Sequence, residues 1–162
     1  MSILESVVNG KGVNASAPQP DNQTRTYPLA ITVEDRIYPS FAVEMLRVSR
    51  GQKSYIVKTS EIGIQEVAVK GVTPIVTQPD GTAYIRFNNS FETIEYTGAE
   101  SIPDLAGKMV IVGVTAEGIA NPVPTPRGNL YPQEIQAHML QNFISGSNIT
   151  RSQTAAFYEL LT

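Results

Sequence analysis

The sequence predicts an α/β fold with a central mixed, partly parallel sheet and helices packed on its faces. Three observations predict it. Residues 109–114 (Met-Val-Ile-Val-Gly-Val) are a continuous apolar run bounded by Ala-Gly-Lys and Thr-Ala-Glu-Gly. The run is too short and too β-branched for a comfortable helix and reads as a strand buried on both faces. A loop dense in Gly and Pro follows, and then an amphipathic helix over residues 132–144, with Ile135, Met139, Leu140, Phe143 and Ile144 on one side. Strand, constrained loop and helix make half of a βαβ unit, whose post-strand loop is the usual place to meet a ligand. The third observation is the alternation of residues 82–87, Thr-Ala-Tyr-Ile-Arg-Phe, which suits a half-buried strand.

The elements follow in order. Ile3, Leu4, Val7 and Val8 have helical spacing, and residues 9–12 (Asn-Gly-Lys-Gly) stop that short opening helix. Residues 13–26 are polar and punctuated by Pro18 and Pro20, so residues 1–24 read as an irregular lead-in. Residues 27–33 are extended, residues 34–36 turn, and Ile37 and Tyr38 resume the extended path. Pro39 and Ser40 open a helix whose apolar side is Phe41, Val43, Met45, Leu46 and Val48, with Gly51 placed for a left-handed cap. Short strands are expected at 55–58, 66–70 and 72–76. Gln78-Pro79-Asp80-Gly81 is a hairpin-style turn. Residues 93–96 predict another strand, and 101–105 a brief helical turn. Pro132 suits the first turn of the main helix and Gly146 its stop. Residues 148–162 are polar, then weakly amphipathic, and no repeat or low-complexity tract interrupts the chain.

Composition narrows the function classes. A length of 162 residues suits one sizeable core, so residues 1–162 are expected to form a single domain. The formal net charge is −3 and the arginines are dispersed singly along the sequence, which argues against a nucleic-acid surface. With no cysteine there is no disulfide, thiolate metal site or cysteine nucleophile. No stretch approaches the roughly 18 consecutive apolar residues of a membrane span. The first residues, Met-Ser-Ile-Leu-Glu, lack the basic start and apolar core of a secretory leader.

His138 is the single histidine, and Glu134 shares its helix face. A metal site needs a second helix-borne ligand and a third elsewhere, and neither is evident. A hydrogen-bonded, partly buried histidine is therefore the expectation, with no metal and no cofactor. Residues 113–118 resemble a phosphate loop in glycine spacing alone, for Ile119 and Ala120 stand where the Lys-Ser/Thr pair belongs. No Gly-x-Ser-x-Gly elbow exists, so no catalytic residue is assigned. The candidate ligand-binding residues are Thr115, Glu117, Asn121, Thr125 and Arg127, the polar groups of the post-strand loop. Two readings of them stand: a small-ligand site, or a loop whose Thr and Asn side chains satisfy its own backbone among prolines.

Four passages carry a family resemblance. They are Arg25-Thr26-Tyr27-Pro28-Leu29 followed by residues 37–46 (Ile-Tyr-Pro-Ser-Phe-Ala-Val-Glu-Met-Leu); residues 80–88 (Asp-Gly-Thr-Ala-Tyr-Ile-Arg-Phe-Asn); residues 105–116 (Leu-Ala-Gly-Lys-Met-Val-Ile-Val-Gly-Val-Thr-Ala); and Thr125-Pro126-Arg127-Gly128 with Tyr131-Pro132 and Glu134-Ile135-Gln136-Ala137-His138. In order and spacing they resemble the CHASE sensor domains, type two, which are extracytoplasmic input modules of bacterial adenylate cyclases, diguanylate cyclases and kinases. The chain departs from the family pattern at Asn121, where an Asp is usual, and at Gln133, where a Gly is usual. The first departure removes a charge from the candidate loop.

The resemblance runs from about residue 25 to residue 151 and corresponds to the carboxyl-terminal part of such a domain. It implies a signal-input domain of an inner-membrane protein, not itself an enzyme, that meets an unknown small molecule or periplasmic partner. Residues 152–162 would lead toward a membrane span, and a homodimer is compatible with the family. The rivals are a small periplasmic hydrolase using Glu117 or His138, and a structural or oligomerisation module whose loop binds nothing.

Overall fold

Short strands joined by tight turns dominate the chain. Such connections favour antiparallel pairing, because a parallel pair needs a crossover of about a dozen residues or more. In the computed structural model, residues 7–15, 19–96, 98 and 102–149 are described. In chain order the elements are β1 (Thr26–Pro28), β2 (Ala30–Val33), β3 (Arg36–Pro39), α1 (Phe41–Ser49), β4 (Ile56–Ser60), β5 (Gly63–Ala68), β6 (Ile75–Val76), β7 (Thr82–Tyr84), β8 (Val123–Thr125), β9 (Gly128–Leu130) and α2 (Pro132–Ser145).

The strands form four separate sheets: β1 with β7, β2 with β3, β4-β5-β6, and β8 with β9, all antiparallel. Glu34 and Asp35 turn β2 into β3 with φ of 48° and 60°, the left-handed pair that matches the twist of a tight hairpin. Leu29 links two of the sheets and is fully buried. Its N–H donates to Gly81 O, and its carbonyl accepts from Ser40 N, both at 2.9 Å. Gly81 is obligatory there: its φ is +82°, and a Cβ would lie 2.3 Å from the Ala30 carbonyl oxygen.

Both helices begin and end where the residues predict. Ser40 Oγ accepts from Val43 N at the start of α1, and Gly51 adopts φ +62° past its end. At the start of α2 the Glu134 carboxylate accepts from Tyr131 N at 2.7 Å, and Gly146 closes it in the left-handed region. The helices pack against each other, Val43 and Leu46 of α1 joining Ile135, Met139 and Phe143 of α2. Tyr27, Leu29, Val67, Ile75 and Ile85 complete one core. Arg47 ties α1 to the lead-in: it forms a two-point ion pair with Glu44 (2.7 and 2.8 Å) and donates to Asn9 O at 2.9 Å.

The expected central mixed sheet is absent. No named sheet is parallel, and single parallel bridges, Val13–Ser40 and Ile64–Asp80, are the parallel contacts among the described residues. The run at 109–114 is not a strand, and Val112 is 91% exposed. A doubly buried strand needs a hydrogen-bonded neighbour on each edge and a cover on each face. Among the described residues none pairs with this run, which instead lies with Gly113 against the Gln133 side chain at the start of α2. The turn at 78–81 forms but joins no hairpin, because β7 pairs with β1. Residues 93–96 form no strand, and 102–105 no helix. The opening helix lies largely, and the segment after Ile149 wholly, outside the described residues.

These two apolar environments differ in measurable cost. Val112→Lys should change unfolding stability by no more than about 0.5 kcal/mol in urea denaturation, as an exposed substitution does. Phe143→Ala should cost about 3–5 kcal/mol in the same assay.

Candidate functional site

Strand β7 does not stop cleanly at Tyr84. On one side Ile85 N donates to Arg25 O at 2.9 Å, continuing the β1 pairing. On the other side no strand is available, and a side chain from α2 takes its place. Asn142 is fully buried, and with its amide oriented to satisfy its neighbours it accepts from Arg86 N at 2.7 Å and donates to Arg86 O and His138 O, each at 3.2 Å. Tyr84 meets Ile149 in an antiparallel bridge just beyond α2. The backbone of residues 84–86 is thus held on both edges, as buried peptide groups require.

Beside this edge stands the β8–β9 hairpin. Thr125 Oγ donates to Gly128 O at 2.6 Å and accepts from Arg127 N at 3.2 Å, so the hydroxyl is used up in shaping the turn. Gly128, at φ +106°, supplies a backbone conformation that side-chain-bearing residues avoid. The turn aims Arg127 at the polypeptide past β7, where its guanidinium donates to Asn89 O.

Between the hairpin and the β7 edge lies a depression of about 510 Å³ lined by Arg25, Tyr84, Arg86, Phe87, Arg127 and Ile149 among others. Its lining contains no carboxylate. Arg25 is neutralised from outside by Asp21, 2.7 Å away, and the Asp21 carboxyl is held below its usual range mainly by that hydrogen bond. Arg127 has only a neutral carbonyl, and the Arg86 guanidinium has no hydrogen-bond or ion-pair partner among the described residues. A second depression, about 580 Å³, lies by α1, but its Glu44 and Arg47 are consumed by each other.

His138 lies behind the groove. It is 3% exposed, and the rings of Phe87 and Phe91 meet it edge-on at centroid distances of 5.2 and 4.9 Å. Its Nδ1 is buried without a hydrogen-bond partner among the described residues. Burial lowers its pKa below the ordinary 6.5; the nearby Arg127 charge adds to this and Glu134 opposes it. The expected hydrogen-bonded histidine is therefore an aromatic-caged one. Among the described residues no group of three or more metal-ligating side chains forms.

The five sequence candidates do not converge. Thr115, Glu117 and Asn121 are exposed, and the structural use of Thr115 is its carbonyl, which accepts from Tyr131 Oη at 3.3 Å. Thr125 is buried and self-satisfied. Arg127 alone of the five reaches the groove. Arg25, Arg86, Phe87 and Ile149, which line the groove, and Asn142 behind it are not among the five sequence candidates. The alternation of residues 82–87 was a signal for Arg86, since it sets Tyr84 and Arg86 on the face opposite Ala83 and Ile85. Nothing local announces that Asn142 and Ile149 meet them.

Comparison with known proteins decides the family: the CHASE2 domain model matches residues 5–161. The chain belongs to the CHASE2 family. No curated protein and no solved structure matches it. CHASE2 domains are extracytoplasmic sensory domains rather than catalytic ones. In this CHASE2 domain, no helix among the described residues is long and apolar enough to cross a membrane.

The buried groups of α2 make two tests. Asn142→Ala leaves both Arg86 peptide groups without their partner and opens a void, so unfolding stability should fall by about 2–4 kcal/mol. His138 sets a pH dependence. The unfolded chain takes up the imidazole proton near pH 6.5, before the folded one does. Its stability contribution is therefore complete above about pH 6.5 and declines as the pH falls below it. Urea titrations from about pH 8 to pH 5 should show this decline, and His138→Phe, which keeps a ring and removes the titration, should flatten it.

Proposed function

We propose that this CHASE2 domain is the signal-input module of a bacterial membrane-bound signalling protein, such as an adenylate or diguanylate cyclase or a kinase, and that it binds a small ligand in the Arg86–Arg127 groove. The observation that carries the reading is the place of Ile149. It lines the groove, bridges Tyr84, and lies four residues past the end of α2, on the path to the carboxyl-terminal segment that would lead toward a membrane span. A ligand in the groove touches both the fixed edge of β7 and the start of that segment.

Binding acts as a shift between two arrangements of Ile149, and only a ligand with unequal affinity for the two can drive it. The loop candidates Thr115, Glu117 and Asn121 offer no comparable link, because they stand exposed and apart from the groove. The groove is an open depression that combines apolar surface from Phe87 and Ile149 with exposed arginines.

A library of periplasmic metabolites, screened by melting temperature, tests the reading, since a ligand of the folded state raises it by mass action. A stabilising compound should shift the amide resonances of residues 84–88 and of Ile149 together in ¹⁵N spectra. Shifts confined to residues 115–121, or a library that never moves the melting temperature, would count against the groove.

A further inference from the structure

Resting on the groove as the ligand site, we infer its ligand class: a small oxyanion, carboxylate or phosphate, attached to an apolar body. The charge pattern is one argument. The whole chain carries −3, yet this depression gathers three arginines and no carboxylate in its lining. Asp21 answers Arg25, but no carboxylate answers Arg86 or Arg127 among the described residues. Net repulsion from the rest of the chain is screened beyond about 8 Å at physiological salt, so the two local guanidiniums decide what charge is welcome. Both are planar donors matched to the paired oxygens of a carboxylate or phosphate.

The floor supplies the second argument. Phe87 is half-buried and braced edge-on by His138, so it offers a fixed ring rather than a mobile one. Ile149 is 41% exposed at the other end, apolar surface that a ligand body would cover. The backbone of Arg86 is anchored, because Asn142 holds its N–H and its carbonyl, so the side chain departs from a fixed point on the groove's edge. An anion alone would leave the floor wet, and an apolar molecule alone would leave two guanidiniums without a countercharge.

Four probes of one shape range separate the possibilities: 4-phenylbutyrate, 3-phenylpropyl phosphate, 4-phenylbutyramide and 4-phenylbutylamine, each titrated into the ¹⁵N-labelled chain. At least one oxyanion should bind at residues 84–88 and 149 about tenfold or more tighter than the amide, as charge-assisted hydrogen bonds allow. Whichever oxyanion binds tighter tells carboxylate from phosphate. The amine should bind weakest. Arg86→Ala and Arg127→Ala should erase the margin of oxyanion over amide, while Arg86→Lys, which keeps the charge but not the planar fork, should keep only part of it; melting temperatures of the variants confirm that each is folded. Amide or amine binding as tightly as both oxyanions at these resonances overturns the ligand class and leaves the groove standing as the site. Silence from all four probes also overturns the class. The groove itself falls only if the metabolite library, too, yields no ligand that shifts residues 84–88 and 149.

Discussion

A buried amide does the work of a missing strand. Where β7 runs past Tyr84 its outer edge has no β neighbour, and leaving the Arg86 peptide groups unpaired in the interior would cost about 1–3 kcal/mol each. Asn142 meets both from within α2 and donates to His138 O as well. That single side chain couples the helix to the strand edge. It anchors the backbone of Arg86 next to Phe87 and close to where Ile149 meets Tyr84. The groove exists because a helix side chain, rather than a flat strand, completes that edge.

The polar residues of the domain divide by what they have left to offer. Thr125 and Glu134 look equally available in the sequence, but each is consumed by backbone groups within three residues of itself. Glu44 and Arg47 are consumed by one another. Arg86 and Arg127 keep charge to spend, and they do so over an apolar floor. A sensory role fits that arrangement better than catalysis: the groove offers charge and shape, and the one imidazole stands behind Phe87 and Phe91 instead of facing the depression.

Much of the local structure was legible. Ser40 before an apolar periodicity and Gly51 after it mark α1, and Pro132 and Gly146 mark α2; both helices lie within a residue or two of those signals. The turns at Glu34-Asp35 and Gln78-Gly81 were legible for the same reason, since left-handed backbone restricts residue choice at the site itself. The run at 109–114 was the failure. Its composition matches a buried strand, but burial belongs to the surroundings, and the described residues put neither sheet neighbour nor cover against it. Of the groove's lining, only Arg127 was singled out in the sequence, because it sits on a hairpin whose Thr-Pro-Arg-Gly residues dictate the turn.

By itself the sequence determined what short-range chemistry controls: where the helices start and stop, which turns are tight, and the family to which its motifs belong; the buried helix faces were legible only in part, since Phe41 and Ile144 are exposed and Glu44, Gln136, His138 and Asn142 are buried. Only the tertiary structure decided which strands pair, that the sheets are small and antiparallel, and that Arg86, Arg127 and Ile149 share one groove. The physical reason is range. Caps and turns are set by atoms within a few residues, whereas the pairing of Arg86 with Asn142 spans more than fifty and depends on how the whole core closes.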